Sequence, residues 1–239
     1  MCECVAWFSC GATSTIACKL ALQDNPDLEI VYIETGSHHP DNKRYLADCE
    51  KWFGKKITVL QSRFANVIEV LRYQRYINGP AGAPCTKHLK RLVREKYEWE
   101  HDIESYVWGF ESGRKEEARA KRMCERYPDF KHIFPLIERG LNKADCLAMV
   151  EKAGIELPAM YKLGYGNNNC VGCVKGGKGY WNKIRIDFPD RFQEMARLER
   201  EIGATCIKDT FLDELSPDAG KCDPVLPECS IFCGAINLG

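Results

Sequence analysis

Short apolar, β-branched runs alternate with longer stretches of helical spacing along the first half of the chain. Cys4 to Phe8 is an apolar run ending at Ser9-Cys10-Gly11-Ala12-Thr13-Ser14, and Thr15 to Gln23 then carries helix formers until Asp24-Asn25-Pro26 stops it. This predicts strand, loop and helix in that order. Glu29 to Glu34 is β-branched and aromatic and ends at Thr35-Gly36, while Asp41, after the Pro40 turn, can cap a helix through Phe53. Ile57 to Leu60 predicts a third strand. Ala65 to Tyr76 and Thr86 to Trp99 have helical spacing and are separated by the Gly- and Pro-rich loop Gly79 to Pro84. Ser105 to Phe110 predicts a fourth strand, followed by a charged helix from Arg114 to Arg126.

Strands that alternate with helices of this length predict an α/β fold, a doubly wound parallel sheet with right-handed crossovers. In such sheets ligands lie outside the carboxyl ends of the strands, so the Ser9, Thr35 and Gly109 regions are expected to line one crevice. From Phe134 onward the pattern changes to a helix at Lys143–Ala153, a Gly- and Asn-rich loop, a CxxC, a helix at Phe188–Ile202 and a tail containing Cys and Pro. The expected division is therefore an α/β domain over 1–133 and a C-terminal helical subdomain over 134–239 that holds the CxxC and the cysteine-containing tail.

The length of 239 residues allows one large domain or a domain with a subdomain and excludes a multi-domain array. With 45% hydrophobic residues, and 34 Lys and Arg against 34 Asp and Glu, the chain can build a core and lacks polyelectrolyte character. That balance removes the simplest argument for nonspecific nucleic-acid binding but not a local basic face. No apolar run reaches the roughly 20 residues that span a bilayer, and Met1 to Leu22 lacks a signal-peptide pattern, so no membrane partner and a cytoplasmic location are expected. In that reducing setting 14 cysteines are expected as thiols, metal ligands or redox groups rather than as a disulfide scaffold.

Several constellations carry candidate chemistry. The Ser9 to Ser14 loop enters a helix, where backbone N–H groups and the helix dipole favour an anion, and its small residues admit a phosphate. It is neither a Walker A loop nor GxGxxG, and a purely structural turn is the equal alternative. Cys170 and Cys173 form a CxxC that can point two thiolates at one metal or cluster. Lys87, Lys90, Arg91 and Arg94 share one helix, and Arg114, Arg119 and Arg122 follow the fourth strand; either set can face a phosphate or be a solvated face paired with Glu116 and Glu117. His38 and His39 close the second strand as acid/base candidates or plain turn residues. Lys175, Lys178, Lys183 and Arg185 interleave with Tyr180 and Trp181, which suits stacking on a base or, alternatively, core packing of the two aromatics.

The string FSCGATS resembles the phosphate loop of the adenine-nucleotide α-hydrolase-like (PP-loop) superfamily, in particular the Ser-x-Gly-Ala-x-Ser loop of its PAPS reductase branch. IETGSHHPD is similar to that branch's second-strand element, with Glu34 in place of Asp. Phe134 to Cys173 follows the branch's PL-helix, LY..GY and GC..C pattern, and Pro227-Glu228-Cys229-Ser230-Ile231-Phe232 resembles its C-terminal Glu-Cys-Gly-(Ile/Leu)-His element. Gly140, Ser230 and Phe232 depart from the pattern, and the missing Asp in the loop departs from ATP pyrophosphatases. The resemblance implies a nucleotide-binding domain in which Ser9, Gly11, Ala12, Thr13, Ser14, Thr35 and Gly36 hold an adenine nucleotide, whether PAPS, APS or ATP; Gly109, from the end of the fourth strand, and the basic Lys90 and Arg114 are added to that set from position and charge. It implies Cys229 as the nucleophile, with thioredoxin or glutaredoxin as electron donor. It also implies a [4Fe-4S] cluster on Cys85, Cys170 and Cys173, with zinc completed by Cys229 and Cys233, or plain thiols, as alternatives. The second activity it implies is an ATP- and Mg2+-dependent sulfurtransferase acting on a tRNA or DNA base; the third is a silent nucleotide-binding module. A homodimer is compatible with it.

Overall fold

The computed structural model describes residues 3–79 and 82–221. Its centre is a five-stranded parallel sheet in the order β3-β2-β1-β4-β5, with helices on both sides, formed by Glu3–Phe8 (β1), Glu29–Glu34 (β2), Thr58–Gln61 (β3), Ile103–Val107 (β4) and Lys131–Ile133 (β5). In β1, Val5, Ala6, Trp7 and Phe8 are all buried, and in β2 Ile30 to Ile33 are too, which explains their continuous rather than alternating hydrophobicity. Val5 lies beside Glu29 of β2 and beside Tyr106 of β4, so strand order reverses around β1.

The helix after β1, Ala12–Asp24 (α1), buries Ala12 through Cys18. Its small residues let it lie close to its neighbours, and Ile16 shares a core with Leu28, Ile30, Tyr45, Leu136 and Val150. α1 begins at Ala12 rather than Thr15, because Ser14 and Thr15 satisfy their hydroxyls on the Gly11 carbonyl and so fit a helix start. Asn42–Phe53 (α2) follows β2. Asp41 does not cap it through its side chain; that carboxylate pairs with Arg44 and accepts the Ala159 N–H at 2.9 Å.

The expected helix from Thr86 to Trp99 is instead a turn at Pro84–Thr86, a widened π-helical stretch at Lys87–Arg91 and a helix at Leu92–Glu100. The fourth strand ends at Val107, not Phe110. The edge strand β5 is only three residues long, and its sequence Lys-His-Ile carries no period to read. An unexpected helix, Lys178–Asp187, buries Tyr180 and Trp181, so these two aromatics pack in the core.

Two compact units are distinguishable. Among the described residues, one comprises 3–33, 40–60 and 95–162, the other 34–39, 61–79, 82–94 and 163–221. The helix Lys143–Lys152 packs on α1 and so counts with the sheet, while the segment after β2 counts with the CxxC. Within the second unit Trp181 packs against Phe192 of the helix Pro189–Ile202, and the buried Glu199 accepts the backbone N–H groups of Cys206 and Leu212.

Candidate functional site

In the first unit the chain leaves β1 at Phe8 and reaches α1 through Ser9, Cys10 and Gly11. Cys10 has φ of 58°, a left-handed conformation that costs a non-glycine residue energy and is retained where the surroundings enforce it. Ser9 Oγ and Ser14 Oγ are 2.9 Å apart, Ser9 N–H donates to Ser14 Oγ at 3.2 Å, and Ser14 Oγ donates to the Gly11 carbonyl at 2.9 Å. Ser9 is exposed, whereas Gly11, Ala12, Thr13 and Ser14 are buried. Part of the cover is Tyr161, on the single helical turn Ala159–Lys162: the Ala12 N–H donates to its phenol oxygen at 3.2 Å. A Cβ on Gly11 would meet Ser9 Oγ and Tyr161 Oη at 3.4 Å each, so a larger side chain would be driven into the loop's own hydroxyls.

Gly109, two residues beyond β4, belongs to this constellation. A Cβ there would stand 2.8 Å from both the Cα and the backbone nitrogen of Ser14, and only glycine lets the two segments approach this closely. Lys143 Nζ lies 5.8 Å from the centre of the Tyr161 ring, a residue pair the sequence did not point to. Arg114 is exposed at the first residue of its helix, and no described hydrogen bond ties it to the loop.

In the second unit Thr35, His38, Lys90 and Cys170 come together. Thr35 Oγ1 is 3.3 Å from Cys170 Sγ and 3.3 Å from His38 Nδ1, and Glu34 Oε1 is 3.6 Å from the same ring nitrogen. Burial alone pushes the Cys170 thiol up, but the His38 charge and hydrogen bond, the Lys90 charge and the Thr35 hydroxyl bring it down to about 6. Burial pushes His38 down, and the Cys170 thiolate and Glu34 outweigh it to raise the imidazole to about 9. Each group thus favours the charged form of the other, Cys170 towards thiolate and His38 towards imidazolium. Thr35 and Lys90, expected at a nucleotide, are partners of a cysteine here.

Gly36 has φ of 64°, and a Cβ there would meet the Ala65 carbonyl oxygen at 1.8 Å, so its role is a close turn. The CxxC loop is fixed by Tyr180, whose hydroxyl accepts the Cys173 N–H at 2.8 Å and donates to the Cys170 carbonyl at 3.2 Å. Cys85 lies half-buried on the turn Pro84–Thr86. A further thiol, Cys206, is buried, and its pKa is raised by burial, by Glu199 and by the charges of Cys173 and Cys85. No spacing signal in the sequence marked Cys206, because it stands alone between Thr205 and Ile207.

Among the described residues no group of three or more His, Cys, Asp or Glu side chains is placed to hold a metal ion. Cys85, Cys170 and Cys173 therefore do not fit a single-ion centre as they stand; the Cys170 sulfur faces Thr35 and His38 instead. Cys229, Cys222 and Cys233 lie outside the described residues. No described helix is long and apolar enough to cross a membrane.

The family model of the phosphoadenosine phosphosulfate reductase domain matches residues 3–176. No curated protein sequence matches the chain. Among solved structures, a phosphoadenylyl-sulfate (PAPS) reductase from Candida auris, in a phosphate complex, has a similar fold, with a TM-score of 0.53 and 11% identity over 71% of this chain and 82% of that one.

Proposed function

Because the chain belongs to the phosphoadenosine phosphosulfate reductase domain family, we propose that it binds an adenine sulfonucleotide, PAPS or APS, and carries out thiol-dependent sulfur chemistry on it. The observation that carries this reading is the strand–loop–helix junction at Ser9 to Ser14, where small residues and the N-terminus of α1 provide backbone donors for a phosphate. In the reaction a cysteine thiolate attacks the sulfur of the sulfonucleotide. The bond from sulfur to the phosphate oxygen breaks, and the nucleotide leaves with the electron pair. A donor dithiol such as thioredoxin or glutaredoxin then attacks the cysteine sulfur of the S-sulfocysteine and releases sulfite, leaving a mixed disulfide; its second thiol attacks the donor sulfur of that bond, and the enzyme cysteine leaves as thiolate.

Cys229 is our nucleophile, and Cys170 is the competing thiolate. Sulfite release from PAPS or APS with reduced thioredoxin, abolished in Cys229→Ser and retained in Cys170→Ser, is the expected result. Loss only in Cys170→Ser moves the nucleophile to the His38 pair, and no sulfite from either nucleotide refutes the reductase reading.

The second reading is an ATP- and Mg2+-dependent sulfurtransferase acting on a tRNA or DNA base. One observation favours it: the charges of Cys173 and Cys85 act on the buried Cys206 thiol, so three thiols share the second unit, although as they stand they are not gathered round one metal ion. Pyrophosphate release from ATP that requires added nucleic acid, together with iron and sulfide in anaerobically prepared protein, would support it.

A further inference from the structure

The first N–H groups of a helix have no partner within the helix and must find one elsewhere. In α1 the Ala12 N–H finds the phenol oxygen of Tyr161 at 3.2 Å. Gly11 to Ser14 are buried, and both Tyr161 Oη and Ser9 Oγ lie where a Cβ on Gly11 would touch them. A nucleotide phosphate that uses the N-terminus of α1 therefore meets an oxygen already in place.

We propose that Tyr161 determines nucleotide affinity by holding, in the free protein, the Ala12 N–H that a phosphate oxygen takes when the nucleotide binds. This rests on the phosphate reading of the Ser9 to Ser14 loop. The exchange runs in favour of the nucleotide because the phenol is a neutral acceptor, whereas a phosphate oxygen is charged and also gains from the helix dipole. The turn that carries Tyr161 is held from behind. Asp41 accepts the Ala159 N–H at 2.9 Å, and Arg44 donates to the carbonyls of Glu156 and Leu157 at 3.1 and 3.2 Å. The part that moves is thus the Tyr161 side chain rather than its backbone. Half-buried against the core, the ring keeps its apolar contacts in a phenylalanine.

The test is calorimetric titration of full-length wild type and Tyr161→Phe with APS, with ATP and with adenosine, alongside thermal melts of both proteins. Removing the hydroxyl removes the competitor, so APS and ATP should bind the variant about threefold to tenfold more tightly, the worth of one neutral hydrogen bond. Adenosine, which has no phosphate, should bind the two proteins equally. Structural damage would weaken binding rather than strengthen it, so the direction of the change is itself diagnostic. Weaker or equal binding of APS and ATP by the variant would overturn the proposal, as would tightening for adenosine too. Failure of both proteins to bind either phosphate-bearing ligand would instead sink the phosphate reading of the loop, and this inference with it.

Discussion

Replacing Gly109 by alanine tests how the phosphate loop is held. The added Cβ would sit 2.8 Å from the Ser14 nitrogen and Cα, both backbone atoms at the start of α1, with the Thr13 carbonyl carbon at 3.2 Å. Carbon contacts are comfortable at about 3.5–4.0 Å, so the end of β4 and the first turn of α1 must separate by more than half an ångström. No flexible side chain is available to absorb the shift, because the obstructing atoms are main chain of the buried first turn of α1. Overpacking of this kind costs roughly 1–3 kcal/mol. At a mid-range value of about 2 kcal/mol, a chain of this size loses roughly 4–8 °C in Tm. Because the displaced atoms include the amide donors of α1, nucleotide affinity should fall in parallel. Gly177→Ala is the control, since a Cβ there meets nothing within 4 Å. Thermal melts and nucleotide titrations of both variants suffice. If Gly109→Ala melts and binds as the wild type does, the close approach is not what places the loop.

Three further outcomes follow from the same geometry. In chelator-treated protein, alkylation of Cys170 by iodoacetamide, read by peptide mass spectrometry against the exposed Cys124, should rise through a midpoint near pH 6, the thiolate being the reactive form above it; in His38→Ala the midpoint should move up to the ordinary thiol range or beyond, and a wild-type midpoint already there would refute the ion pair. Asp41→Ala removes the acceptor of Ala159 and the partner of Arg44, and should cost about 1–2 kcal/mol in urea unfolding, with faster amide exchange at Ala159. Glu199→Gln replaces one of two acceptor oxygens by a donor facing a backbone N–H, so a loss of about 1–3 kcal/mol is expected, and an unchanged urea midpoint would show that the clasp on Cys206 and Leu212 carries no stability.

Much of the fold was legible because β1, β2 and α1 are written in local patterns. Glu29–Glu34 coincides with its predicted bounds, since β-branched residues run without interruption up to Thr35-Gly36. β5 was illegible because three residues cannot show a period and its register depends on β4 alone. The break in the helix from Thr86 was hidden for another reason: widening at Lys87–Arg91 is a backbone choice that leaves the apolar spacing almost unchanged. At the candidate site the loop could be read from small residues after a strand, and Gly109 from its place near the carboxyl end of the fourth strand. The partners of these residues could not. Tyr161 is 149 positions from Ala12, and Thr35 is 135 positions from Cys170, so neither contact leaves a local trace. Lys90 and Arg114 carry only charge and a place on a helix as signals; the first accompanies a cysteine and the second is exposed.

The way the two units share the chain has a consequence for biosynthesis. The sheet unit needs Pro135–Lys162 to cover α1, and the cysteine unit combines the six residues Glu34–His39, from the last residue of β2, with chain made more than a hundred positions later. On the ribosome the nascent N-terminal segments must therefore wait, with Ile16 and Ile30 uncovered, until most of the polypeptide has emerged. High contact order of this kind slows closure and leaves hydrophobic strands open to chaperone capture. A fragment ending near residue 134 should consequently accumulate as aggregate rather than as a soluble nucleotide binder.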